Sequence, residues 1–380
     1  ERGIPRRPYD SAGWTLAYQM GVVFDRHFDD VTGPFTEIDG LAATAPGTIR
    51  GTATAGYLIS PAINDAFTVA NRVLKANGEV YRTAAPMTAN GTTYPAGALY
   101  VTASATTTPI VRAAAKELGV NMDTTADRPG ANATKLATKR IALWDTQTGS
   151  MPSGWTRFLF ERYEFPYTIV CGAGFDDSSL RSKYDVIVMP SGANFRAGGG
   201  GRGNQPAASA PAAQPADPDL RSLCEVTSGT GNGATAEANV RTFVEEGGVV
   251  VAAGSASEAI AATLDLPVSD YLVERQPGQP DRALASDKYY VPGSILRVAV
   301  DNDAASAAGA GEHVDVYFNN SPVFRLHPKS SARGIRPVMW FDTDSPLRSG
   351  WAWGQNYLDG GTAACEATVG RGKAFVFGPE

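Results

Sequence analysis

Four short runs dense in β-branched and apolar residues constrain this chain more than any other feature: RIALWD (Arg140 to Asp145), YTIVCG (Tyr167 to Gly172), DVIVMP (Asp185 to Pro190) and VVVAA (Val249 to Ala253). None alternates polar with apolar, so each predicts a strand covered on both faces. Between them lie stretches that read as helices: GWTRFLFERYEF (Gly154 to Phe165), a short LRSKY, and Ala236 to Glu246 with Val240, Phe243 and Val244 inward. Strand, helix, strand, helix, strand predicts an α/β fold with a parallel sheet clad on both faces, and VVVAA is its fourth strand.

Around this sheet the pattern divides the chain. Residues 1–48 are rich in Gly, Pro and Asp with one apolar stretch, GWTLAYQMGVVF, and read as a connecting segment that packs on a neighbour. Residues 49–123 form a small α/β unit. There the strand GYLIS precedes a helix capped by Asn64, strands EVYRT and ALYVTA flank a turn at Asn90-Gly91, and the helix Pro109 to Leu118 ends at Gly119. Residues 124–139 read as a linker and 140–380 as the parallel-sheet domain. Within it, 197–218 (AGGGGRGNQPAASAPAAQPADP) is too poor in apolar residues to order itself and reads as a flexible insertion. Its glycines lack the Gly-Lys-Ser/Thr ending of a phosphate loop. Beyond Leu266 the chain turns β-rich and finishes with TAACEATV and KAFVFG joined in a short hairpin.

Bulk properties exclude several functions. The 43% hydrophobic content is that of a globular protein. Net charge is −6 (33 basic, 39 acidic residues) without a long basic run, so nucleic acid is not an expected partner. No apolar run approaches the ~20 residues that span a bilayer. Cys171, Cys224 and Cys365 are scattered and odd in number; one bridge is open to them, but buried free thiols are the better expectation. The chain opens at Glu1 rather than Met and stops after KAFVFG, as a piece of a longer protein would.

Candidate chemistry centres on VVVAAGSASEAIA, where a strand runs through small residues into an Ala-rich helix. Ser255 there is either a nucleophile on a strand-turn-helix elbow or a helix cap. The cap is better supported, because Ser255-Ala256-Ser257-Glu258 has the Ser-x-x-Glu form of a capping box. A serine hydrolase would pair Ser255 with His327 and an acid such as Asp342, Asp344 or Glu258. His313 and Asp315 alternate on one strand and could share a divalent ion, or simply form a solvated face. FDTDS has the Asp spacing of part of a calcium loop but lacks the terminal Glu, so Asp-stabilised turns are preferred. Trp340, Phe341, Trp351, Trp353 and Tyr357 are dense enough to fill an interface; of these Trp351, Trp353 and Tyr357 are the best candidates for a binding surface.

Several phrases, in order, carry a family resemblance: RPYDSAGWTLAYQMGV, SMPSGWTRFLFERYEFPY, FVEEGGVVVAAGSASEAI, YYVPGSILRVAVD, VYFNNSPVF and SGWAWGQNYLDGGTAACEATVGRGKAFVFGPE. They resemble the C-terminal region of large secreted bacterial zinc-carboxypeptidase-like proteins, ending in a class I glutamine amidotransferase-like domain. The resemblance implies a flavodoxin-like sheet, a zinc peptidase domain upstream of Glu1 as partner, and a secreted, periplasmic or extracellular location. It also implies peptide or cell-wall substrates for the parent. Zinc would belong to that upstream domain, since His27, His313 and His327 form no His-x-x-Glu pair. No cysteine lies within 30 residues of the elbow, and LHPK puts Lys329 where amidotransferases keep an acid. The expectation is a non-catalytic accessory region that positions the peptidase or binds substrate. The alternatives are a self-assembling extracellular structural protein, hence a homo-oligomer, and the Ser255 hydrolase.

Overall fold

A computed structural model describes residues 6–8, 11–13, 15–146, 149–195 and 233–380; the 197–218 insertion and Cys224 lie outside them. The N-terminal segment packs across the β-rich end of the molecule before its one helical turn, α1 (Leu16–Gln19). Ala12 and Gly13 both donate to Gly293 O, and a Cβ on Gly13 would sit 2.5 Å from Ser349 O, so only glycine permits this approach. Past α1 the segment lies open, with Val23, Phe28, Phe35 and Leu41 exposed.

The small unit is a six-stranded sheet with a separate two-stranded hairpin. In chain order it comprises β1 (Ile49–Arg50), β2 (Gly56–Ile59), α2 (Asp65–Lys75), β3 (Val80–Arg82), the hairpin β4 (Met87–Ala89) and β5 (Thr92–Tyr94), β6 (Leu99–Thr102), α3 (Thr107–Leu118), β7 (Met122–Thr125) and β8 (Thr134–Lys135). The sheet order is β1-β7-β2-β6-β3-β8, antiparallel except for β1 on β7. Two core clusters enclose it. Val69, Val73, Val111 and Ala115 of the helices pack with Ile59, Val101 and Met122, and Tyr94 and Tyr100 belong to a second cluster with Leu58. The expected linker is shorter than 124–139: Thr124 and Thr125 belong to β7, and Thr134–Lys135 adds an edge strand to β3.

In the second unit β9 (Ile141–Asp145), α4 (Met151–Arg162), β10 (Tyr167–Cys171), α5 (Leu180–Lys183), β11 (Val186–Met189), α6 (Gly233–Glu245), β12 (Val249–Ala253) and α7 (Ser255–Thr263) follow the expected alternation. Then come β13 (Val268–Asp270), β14 (Val273–Glu274), β15 (Arg282–Ala283), β16 (Ser294–Val300), β17 (His313–Phe318), β18 (Phe324–Leu326), β19 (Ile335–Trp340), β20 (Leu347–Ser349), β21 (Thr362–Val369) and β22 (Gly372–Phe377). The main path is β10-β9-β11-β12-β22-β21-β19-β16-β17. Its first five strands are parallel, and β22, β21, β19, β16 and β17 continue as antiparallel neighbours. Numbered by sequence, the parallel part reads 2-1-3-4-5, the flavodoxin-like order.

The two units touch through α2 and α4. Arg162 reaches Asp65 at 3.2 Å, Arg72 binds both Glu117 and Glu164, and Asn71 donates to Tyr163 O at 2.8 Å. Cys365 on β21 is a free, buried thiol, and burial pushes it up to about 12, so it behaves as a small hydrophobe. Cys171 departs from the free-thiol expectation: it is disulfide-bonded at the C-terminal end of β10.

Asp185 ties the parallel strands at their N-terminal ends. Its carboxylate accepts from the Arg140 backbone N and guanidinium and from Arg181, at 2.8 to 3.1 Å, and these bonds hold it well below the usual carboxylate range despite burial. Asp185→Asn should therefore cost about 1–2 kcal/mol at pH 7 by denaturant unfolding. Because the folded pKa is depressed, that stabilisation is present above the unfolded value of about 3.9 and is lost as pH falls further. The gap between wild type and variant should close below about pH 4.

Candidate functional site

In a 2-1-3-4-5 sheet, ligand sites lie beyond the C-terminal strand ends, where the strand order reverses. Here that reversal falls between β9 and β11, and three turns meet there: Asp145-Thr146 after β9, Pro190-Ser191-Gly192 after β11 and Gly254-Ser255 after β12. The protein's own side chains bond to the backbone of these turns. Asp145, 3% exposed, accepts from Thr146 N at 2.7 Å and Ser150 N at 2.8 Å, so its carboxylate shapes the entry to α4. Ser150 then caps α4 by accepting from Ser153 N, and the Trp144 indole donates to Asn194 O at 2.9 Å.

The elbow itself is real, but its strained residue is Gly254, with φ +56° and ψ −138°, a conformation that a residue carrying a Cβ strongly disfavours. A Cβ there would lie 2.6 Å from Ser191 Cβ and 3.1 Å from Glu380 Oε1. The position that would present a nucleophile is thus a glycine with its overhead space filled.

Ser255 is the first residue of α7, one position inside the cap, and the capping-box expectation is overturned for that reason. A capping hydroxyl must sit on the N-cap residue, which is Gly254 and has none. Ser255 Oγ instead accepts from Gly192 N at 2.9 Å, pinning the β11 turn to the start of α7. Ser257, fully buried, donates to Gly254 O at 2.5 Å. Glu258 faces a different cavity of about 400 Å³ with Asp265 and Asp270; desolvation, then Asp270, raises its pKa.

The structure does not bring Ser255 and His327 together. His327 N donates to Pro267 O, beyond the far end of α7, whereas Ser255 opens that nine-residue helix. Asp342 binds His313 Nε2 at 2.9 Å, while Asp344 accepts from Ser345 Oγ. His313 and Asp315 do share a face of β17, and Asp315 lies 3.6 Å from Arg297 and 3.4 Å from Arg348. Among the described residues no group of three His, Cys, Asp or Glu side chains is placed to hold a metal ion.

The aromatics work inward. Phe341 is fully buried edge-on to Phe318, with centroids 5.9 Å apart. Trp353 exchanges backbone hydrogen bonds with Tyr290, and its indole donates to Asp287 O at 2.7 Å. Trp351 O accepts from Ser294 Oγ and its N donates back to the same oxygen, leaving Tyr357, 41% exposed, the most open of the candidate surface trio.

The fold is α/β and flavodoxin-like. No family model matches this sequence and no curated protein matches it. Solved structures similar to it include a glutamine amidotransferase from Thermotoga maritima, 8% identical over 64% of this chain and 76% of that one with a TM-score of 0.34. A ThuA-like protein from Bacteroides uniformis is 10% identical over 63% of this chain and 82% of that one (TM-score 0.35). A β-galactosidase from Bacillus circulans sp. alkalophilus is 10% identical over 63% of this chain, which spans 28% of the enzyme's length (TM-score 0.32). At these identities and TM-scores no activity passes across.

Sequence reasoning placed the elbow within one residue but missed Ser191, Gly192 and Glu380, which reach it from β11's turn and from beyond β22. The signal was present only as Gly254 itself, since a glycine between strand and helix marks a turn without fixing its φ: Gly254 stands at +56°, whereas Gly172 after β10 has no positive φ. Gly254→Ala should destabilise by roughly 2–4 kcal/mol through backbone strain plus overpacking against Ser191. Combining it with Ser191→Gly should recover the overpacking part, measured by thermal or denaturant unfolding.

Proposed function

We propose that this chain is a non-catalytic accessory region of a larger exported zinc-carboxypeptidase-like protein, which it serves by positioning the peptidase domain or engaging its peptide or cell-wall substrate. The observation that carries the non-catalytic reading is the elbow: Gly254 has no side chain to act, and Ser191 and Glu380 crowd the space where one would stand. Ser255 beside it spends its oxygen on Gly192 N. Export is supported by the Cys171 disulfide, because such bonds persist mainly in oxidising compartments.

A docking role is supported by α4. Met151, Trp155, Phe158 and Leu159 fall at helical spacing on one stripe and are 78%, 63%, 55% and 50% exposed, whereas Ser153 is the helix's buried residue. An apolar stripe of this kind turned to water is an interaction surface. The same stripe favours the second reading, self-assembly, in which another copy covers it.

A fluorophosphonate probe and a glutaminase assay should both leave the chain silent; labelling of Ser255 would refute the reading. Sedimentation over a hundredfold range of concentration separates the two docking modes. A monomer throughout supports a heterologous partner, and association abolished by Trp155→Ser with Phe158→Ser supports assembly. Those two exposed changes should alter stability by less than about 0.5 kcal/mol.

A further inference from the structure

The small unit carries a cleft of about 570 Å³, within the range of small-molecule sites, that the reading above does not use. It opens where the loop Gly51 to Thr54 leaves the edge strand β1 and faces the first turns of α3. The loop is held in shape. Gly51 (φ +89°) turns it, a Cβ there would lie 2.5 Å from Asn90 Nδ2, and Ala53 N donates to Thr124 Oγ1 at 3.1 Å.

Its lining is rich in donors and contains no carboxylate. Thr52 and Thr54 have hydroxyls with no hydrogen-bond partner among the described residues. Thr108 Oγ1 accepts from Tyr57 OH at 3.1 Å, which leaves its own proton to donate. One turn further along the same face of α3 stands Arg112, the sole charged group in the lining, and it has no ion-pair partner among the described residues. The nearby Asp123 is already matched. It is fully buried and receives Arg50 at 2.6 Å, Tyr94 at 2.7 Å and Asn90 at 3.1 Å. As the strand neighbour of Thr124 it points to the opposite face of β7.

A planar guanidinium beside free hydroxyl donors matches a group with two acceptor oxygens and one negative charge. Ile49, Ala53, Tyr57 and Ala103 supply apolar wall for a short hydrocarbon body. A polyphosphate would need more than one cation. We propose that this cleft binds a small organic carboxylate, its oxygens on Arg112 and the threonine hydroxyls and its apolar body against Tyr57. The proposal stands on the cleft alone and survives any outcome for the elbow.

Calorimetric or NMR titration of the whole chain with N-acetylalanine, at constant ionic strength, tests it against N-acetylalaninamide and inorganic phosphate. Saturable binding of the acid is expected, with the amide at least about tenfold weaker and Arg112→Gln weakening the acid by a similar factor. Thr52→Val with Thr54→Val should weaken it by a smaller factor. Because Arg112 is exposed and unpaired, its variant should keep the wild-type thermal midpoint, so lost binding cannot be ascribed to unfolding. Absence of saturable binding, equal binding by the amide or by Arg112→Gln, or tighter binding of phosphate than of the acid would each overturn the proposal.

Discussion

The pairing of β12 with β22 holds the second unit together. Val249 to Ala253 lie in parallel register with Lys373 to Phe377, and β22 is in turn the antiparallel partner of β21. One strand therefore belongs to both halves of the sheet. Without it the helix-clad parallel strands and the antiparallel strands would each present an open edge to water, with unpaired backbone groups. Gly372 makes the approach feasible: a Cβ there would run into the carbonyls of Val244 and Gly248.

The state of the elbow follows from that pairing. Once β22 lies beside β12, the residues after it pass close to the β12 turn, and Glu380 comes within reach of Gly254. Glu380 is also bonded to Tyr317 in both directions through the backbone. The β-rich half thus reaches the strand ends where an open α/β sheet would keep a ligand site. On the parallel side Asp145 and Ser255 accept from backbone N–H groups of Thr146, Ser150 and Gly192 that a ligand would otherwise have to satisfy.

The two surfaces on which the proposals rest lie away from those strand ends. The donor-lined cleft is on the other unit, and the exposed stripe of α4 is on the outside of the sheet. α4 illustrates why the sequence was easier to read for element than for face. Its Gly/Ser turn, Ser150 cap and Pro152 mark a helix start clearly, at Met151 rather than Gly154. Its apolar periodicity is genuine too, but periodicity does not say whether a stripe meets a core or water.

What the sequence determined by itself is what local chemistry controls. Continuous apolar runs specify the strands of the parallel sheet, and glycines after them mark turns. No cysteine lies within 30 residues of the elbow, and none of the three histidines forms a His-x-x-Glu pair. What only the tertiary structure decided is which distant groups share a space. The chain's last described strand completes the parallel sheet, Ser255 answers Gly192 instead of Glu258, His327 bonds to Pro267 beyond the far end of α7, and Cys171 enters a disulfide. Those outcomes depend on long-range strand pairing, whose partner is chosen by the whole sheet and leaves no mark in the spacing of nearby residues.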